Sequence, residues 1–187
     1  MARFSTQKDF FSLSSRQRWC AGGDLRRKRA GRKARPLARK HSLHVVLKAD
    51  KRLIKTGLRT YRRYFLVLKI LQTFAARFNI KIEQYSIQYD HIHLLIRLGC
   101  RSDALNFFRV LAGQIAQNFQ QRGLMVTDTP TKLWTQRPFT RVVLGARAMV
   151  TIKNYLKLNE LEALRLIPYR KTRLKGLSEK EWELLGE

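Results

Sequence analysis

Apolar residues recur along the chain with two different periods, and the switches between them divide it into elements. His41-Ser42-Leu43-His44-Val45-Val46-Leu47-Lys48 is aliphatic and β-branched and is followed by polar Asp50 and Lys51, which predicts a first strand. From Leu58 to Phe78 the spacing turns helical, with Leu58, Tyr61, Phe65, Leu68, Gln72, Ala75 and Phe78 on one stripe. Arg59, Arg62, Arg63, Lys69 and Arg77 lie largely off it, and Asn79 is a stop signal. Ile80–Gln88 predicts a second strand, and after a break near Asp90 a third runs from His91 to Leu98, ended by Gly99. A helix is expected over Ala104–Arg122, with Phe108, Leu111, Ala112, Ile115 and Phe119 on one face and Gly123 as its stop. Lys132–Thr135 and Arg141–Leu144 read as two short strands around Pro138, followed by a helix over Ala146–Leu158 and a short one near Glu179–Leu185. This order predicts an α+β fold: an antiparallel sheet with helices packed on one face and the other face open.

The third strand carries the first candidate chemistry. Side chains alternate along a strand, so His91 and His93 share one face while Ile92, Leu94 and Ile96 enter the core. Two imidazoles on one rigid strand supply half of a divalent-metal site; the plainer alternative is a surface or hydrogen-bonded pair. His44 reads as a packed or hydrogen-bonded histidine in preference to a third ligand. In the late helix Tyr155 and Asn159 are four apart and continue a stripe through Ala148 and Ile152, so this face packs toward the sheet. Read singly, Tyr155 is a buried amphipathic aromatic and Asn159 a residue near a helix end.

Charge then changes the picture. The 187 residues carry a formal net charge of +26, which calls for a polyanionic partner, and nucleic acid leads. Nine of the fifteen positions from Arg26 to Lys40 are Arg or Lys with almost nothing to bury, so residues 1–40 read as a basic, disordered tail. Arg26, Arg27, Lys28, Arg29, Arg32, Lys33 and Arg35 are the candidate phosphate contacts. From His41 onward 26 basic and 11 acidic residues remain, so the folded part is basic in its own right. Cys20 and Cys100 have no C-x-x-C spacing, so neither a disulfide framework nor a zinc ribbon is supported. With no apolar run of about twenty residues and no cleavable signal peptide, a cytoplasmic, nucleoid-associated protein with no membrane partner is expected.

Taken together, the His91-Ile92-His93 strand and the Tyr155-x-x-x-Asn159 helix resemble the REP-associated tyrosine transposases of the single-tyrosine HUH, insertion-sequence-200-like superfamily. The stretch Leu133-Trp134-Thr135-Gln136-Arg137-Pro138-Phe139 is similar to that family's W-Q-R-F segment. The resemblance spans His44 to roughly Ala163 and implies a ferredoxin- or RRM-like HUH endonuclease domain over 41–164, with 165–187 as an extension bearing a short helix. It implies that His91, His93 and Asn159 hold a divalent metal, Mg²⁺ or Mn²⁺, which polarises the scissile phosphate. It also implies that Tyr155 attacks phosphorus in single-stranded or hairpin DNA, leaving a 5′-phosphotyrosine and a free 3′-OH for rejoining.

Two positions depart from the family pattern: Asp90 stands where Asn is common before the first histidine, and Glu160 where Pro is common after the Asn. Neither removes a ligand or the nucleophile, although Asp90 adds negative charge near the metal. A homodimer, and an active or a domesticated enzyme, are left open by the sequence. The rival reading is a non-catalytic basic RNA- or DNA-binding module with an RRM-like sheet. Against it, the central strands lack the aromatic signature of such modules, Tyr85 being flanked by charged and aliphatic residues.

Overall fold

The computed structural model describes residues 19–23, 34–54, 56–126 and 132–186, so that of the candidate phosphate contacts Arg26, Arg27, Lys28, Arg29, Arg32 and Lys33 lie outside the described residues. The elements are β1 (Cys20–Ala21), β2 (Leu43–Lys48), α1 (Tyr61–Arg77), β3 (Ile80–Ile87), β4 (His91–Leu98), α2 (Arg101–Gln121), β5 (Phe139–Val142), α3 (Ala146–Ala163) and α4 (Glu179–Gly186). The strands form one sheet in the order β1-β5-β2-β4-β3, with each neighbouring pair antiparallel.

The expected α+β sheet and its helical layer are both present. Helix α1 buries Val67, Ile70, Leu71 and Ala75, and α2 buries Phe107, Phe108, Leu111, Ile115 and Phe119, each set at helical spacing. Both stripes close over Val45, Leu47, Ile92, Leu94 and Ile96, the inward half of β2 and β4. Each fully buried side chain of this kind, Phe107 and Leu94 among them, contributes about 1.5–3 kcal/mol relative to exposure. Asn79 (φ 49°) and Gly123 (φ 61°) take left-handed conformations just past α1 and α2, as their reading as stops requires.

The opposite face is not open. Leu95, the outward neighbour of Leu94, packs with Val143, Ile152 and Leu156 beneath α3. Helix α3 is tied to β3 by Gln84 Nε2 donating to the Lys153 carbonyl (3.2 Å) and Gln88 Nε2 to the Asn159 carbonyl (3.0 Å). Glu160 adds a third tie: it accepts from Ser86 Oγ (3.0 Å) and pairs with Arg59 (2.7 Å). The Glu that departs from the family pattern thus fastens the helix to the sheet. Behind α3, Leu158 and Leu161 pack with Ile167 and Leu185, which seats the C-terminal extension and α4.

Five expectations need correction. In α1, Tyr61 and Phe65 of the expected stripe are exposed, and Val67, Ile70 and Leu71 face the core instead. Lys132–Thr135 is not a strand: Trp134 makes an isolated bridge to Ala49, and its indole Nε1 donates to the Ala112 carbonyl (2.8 Å), so this stretch anchors α2 to the sheet. Strand β5 starts at Phe139 and ends at Val142, which leaves Val143 and Leu144 beyond it. Parts of the supposed tail belong to the fold, since Cys20–Ala21 pairs with Thr140–Arg141 and Leu37 and Ala38 pack against the main core. Gly22 holds this edge in place: its φ is 82°, and a Cβ there would meet the Pro138 carbonyl oxygen at 2.1 Å. Arg35, read as a phosphate contact, donates instead to the Pro138 carbonyl (2.8 Å) and Thr140 Oγ1 (2.7 Å) and lies over the Phe108 ring. Among the described residues, no helix is long and apolar enough to cross a membrane.

Candidate active site

Sheet register assembles the site. In β4 the outward positions are His91, His93 and Leu95; in β2 they are paired with Lys48, Val46 and His44. Directly opposed residues share a face, so His44 joins the histidine side of the sheet, and so do Ser86, opposite His93, and Arg141, opposite His44.

His93 is buried, and its Nδ1 lies 3.1 Å from His44 Nε2, with the two rings stacked at 5.3 Å and 13°. Its Nε2 is buried with no hydrogen-bond partner among the described residues. A neutral imidazole has one N–H and one lone pair. The tautomer that donates from His93 Nδ1 to His44 therefore turns an unshared lone pair at Nε2 into the site. His91, half-buried, is edge-on to His93 with ring centroids 4.7 Å apart, and its Nδ1 lies 2.7 Å from Asp90 Oδ1. Asp90 thus has a definite place: it orients His91 and leaves that ring's Nε2 as the outward nitrogen.

Electrostatics keep the buried pair neutral. Burial drives His44 down to about 3, helped by the Arg141 and His91 charges. Burial also pushes His93 well below the ordinary histidine range, with His91, His44 and Arg173 adding to it. Burial raises Asp90, but the His91 hydrogen bond and the charges of His91, Lys51 and Lys48 outweigh it and hold the carboxylate low. Metal ligation needs this combination of neutral imidazoles and an ionised partner.

Helix α3 brings Tyr155 over the pair: its ring centroid is 5.5 Å from that of His93 and 6.4 Å from that of His44, both edge-on. One turn on, Asn159 is buried; its Nδ2 donates to the Tyr155 carbonyl (2.7 Å) and its Oδ1 accepts from Arg173 Nη2 (2.5 Å). Arg173, from the C-terminal extension, also pairs with Glu162 (2.6 Å) and stands 5.4 Å from the Tyr155 ring centroid. The structure brings His91, His93 and Tyr155 together and commits the Asn159 oxygen to Arg173. Nothing in the sequence pattern marks Arg173, because its partners are 11 and 14 residues away across a turn.

A divalent ion would fit at His93 Nε2 in the tautomer that carries the proton on Nδ1, since Nε2 has no hydrogen-bond partner among the described residues, and at His91 beside it. Among the described residues no group of three or more His, Cys, Asp or Glu side chains is placed to hold a metal ion. The other residue read as a ligand, Asn159, has its amide oxygen turned to Arg173.

Comparison with known proteins agrees with this architecture. Residues 38–159 match the family described as "Transposase IS200 like". Among solved structures, a REP-associated tyrosine transposase bound to a REP hairpin is similar, with a TM-score of 0.56 at 12% identity, covering 71% of this chain and 74% of that one. A putative transposase from Deinococcus radiodurans R1 aligns with a TM-score of 0.45 at 15% identity, over 70% of this chain and 98% of the other. No curated protein matches the chain.

Proposed function

The chain belongs to the IS200-like transposase family, and from that premise we propose that it cuts and rejoins a single DNA strand through Tyr155, with His91, His93 and Asn159 as ligands of Mg²⁺ or Mn²⁺. The observation that carries the reading is the buried, unpartnered Nε2 of His93, in a ring edge-on to that of Tyr155. When bound, the ion would draw charge from the scissile phosphate and favour attack at phosphorus.

The chain's own groups have separable parts in this scheme. His44 and Asp90 fix the rings of His93 and His91 so that both Nε2 atoms are available. Helix α3, tied to β3 through Gln84, Gln88 and Glu160, holds the phenol at a set height above the imidazoles. Tyr155 Oη forms a bond to phosphorus while the bond to the 3′ oxygen breaks; the phenol loses a proton and the departing 3′-OH gains one. The phosphotyrosine keeps the bond energy, so attack by another 3′-OH restores the strand and the phenol without ATP. Arg173 competes for the Asn159 oxygen, so ligation by Asn159 requires Arg173 to turn toward Glu162 or the DNA.

The similar solved transposase holds a REP hairpin, which supports hairpin-bearing single-stranded DNA as the substrate class. The test is a covalent adduct. Incubated with hairpin-bearing single-stranded DNA and Mn²⁺, the protein should give a complex that survives denaturation, and Tyr155→Phe should abolish it while DNA binding persists. A binding-only module gives no adduct with any metal, and that outcome would leave the rival reading standing.

A further inference from the structure

A cavity of about 630 Å³ lies beside the histidine face, between the β1–β5 edge and the first turns of α3. It is lined by Trp19, Arg141, Val142, Leu144, Arg147, Ala148 and Thr151, which include two guanidiniums, one indole and no carboxylate. We infer that this cavity is a subsite for one unstacked nucleotide of single-stranded DNA beside the scissile phosphate, its base on Trp19 and its phosphate on Arg141 and Arg147. The inference rests on the strand-transfer reading and specifies where the substrate strand leaves the nucleophile.

Three features converge on this ligand. The first is chemical. An anion attached to a flat, weakly polar ring matches a pocket that pairs Arg141 and Arg147 with Trp19 and the aliphatic Val142, Leu144 and Ala148. Trp19 is 36% exposed and Leu144 39%, so both bring apolar surface to the cavity. The second is placement. Arg141 opposes both His44 and Cys20 in the sheet, so it stands on the same face as the candidate metal ligands. Thr151 and Tyr155 are four apart on α3, roughly 6 Å of helix axis, so a nucleotide here flanks the one presented to the phenol. The third is rigidity. The Gly22 turn and the Cys20–Ala21 pairing fix the segment that carries Trp19, and Gly23 N donates to the Arg137 carbonyl (3.2 Å). A duplex keeps its bases stacked and cannot present a base face to the indole, so the cavity should distinguish single strands from duplexes.

Binding without cleavage tests the subsite apart from the chemistry. The full chain is titrated with a labelled oligothymidylate in EDTA, with a DNA duplex as the second probe. Trp19→Ala should weaken oligothymidylate binding about tenfold, the loss of one base–aromatic stack, and Trp19→Phe should restore most of it. Arg147→Gln, an exposed helix position, should lower the slope of log affinity against log salt by about 0.7, one phosphate contact. Duplex affinity should change little with either indole variant. The inference is overturned if folded Trp19→Ala and Arg147→Gln bind oligothymidylate as the wild type does, or if duplex binding falls equally with Trp19→Ala. Displacement by thymidine 5′-monophosphate at equal nucleotide concentration would also overturn it, making the cavity a free-nucleotide site. If the wild type forms the Tyr155 adduct and the variants bind normally, only the subsite fails. If the wild type neither binds single strands nor forms an adduct, the strand-transfer reading itself fails.

Discussion

Acidification should destabilise this fold well above the carboxylate range, because two histidines are buried neutral. The folded-state values of His44 and His93 lie below the unfolded value of 6.5, that of His44 at about 3. As pH falls, the unfolded chain takes up protons first. Stability is therefore full above 6.5 and is lost progressively as pH falls toward the folded values. Each such histidine costs about 1.4 kcal/mol per pH unit inside that window. Between about pH 7.5 and about pH 5 this is roughly 2 kcal/mol for His44, and His93 adds a loss of the same sign. Asp50 and Asp90 are held below 3.8, so their contributions are lost only under this range. Urea unfolding followed by circular dichroism, in EDTA to remove metal linkage, reads the loss directly. His44→Gln keeps a hydrogen-bond acceptor for His93 Nδ1 and removes one titrating group, so the acid loss should fall by about 2 kcal/mol over that range. An unchanged pH slope in His44→Gln, or no slope at all above about pH 5, would refute the buried neutral pair.

Asp90→Asn should weaken Mn²⁺ binding by about tenfold or more, because the carboxylate that orients His91 and raises its basicity is lost. Titration by electron paramagnetic resonance reads this without any turnover, and unchanged affinity would show that the Asp90–His91 bond does not serve the metal. Arg173→Ala removes the ion pair of the covered Glu162 carboxylate, leaving it only the Arg170 backbone N–H, and should cost about 3 kcal/mol in urea unfolding, much of it recovered in the double variant with Glu162→Gln. Equal losses in the single and double variants would mean the pair is not coupled. Replacing Arg26, Arg27, Lys28, Arg29, Arg32 and Lys33 with Gln should lower the salt slope of single-stranded DNA binding by up to about 4, and an unchanged slope would remove these residues from the phosphate contacts.

Local period made most elements legible in the sequence, though not the face that α1 buries: Tyr61 and Phe65, read onto its stripe, are exposed. The alternation through His91–Leu98 placed both histidines on one face, and the stripe through Ala148, Ile152 and Tyr155 turned α3 toward the sheet. What escaped depends on contacts distant in sequence. A two-residue edge strand such as Cys20–Ala21 has no period to read, and Arg35 in a run of cations looks like its solvated neighbours until its partners at 138 and 140 are placed. The covered second face was hidden because α3 binds it partly through polar ties from Gln84, Gln88 and Glu160, which carry no hydrophobic signal. His44 read correctly as a hydrogen-bonded histidine, but its partner, His93, follows only from the strand register. The Arg173–Asn159 bond joins the extension to α3, and neither residue type predicts it.

The central claim is that Tyr155 is the group that becomes joined to DNA. Its most direct test is mass spectrometry of the protein after reaction with hairpin-bearing single-stranded DNA and Mn²⁺, followed by nuclease and protease digestion. The account predicts one modified peptide, with a deoxynucleotide phosphate on Tyr155. Modification at exposed Tyr89 or Tyr169 instead, or no phosphotyrosine in a protein that binds both Mn²⁺ and the DNA, would contradict it.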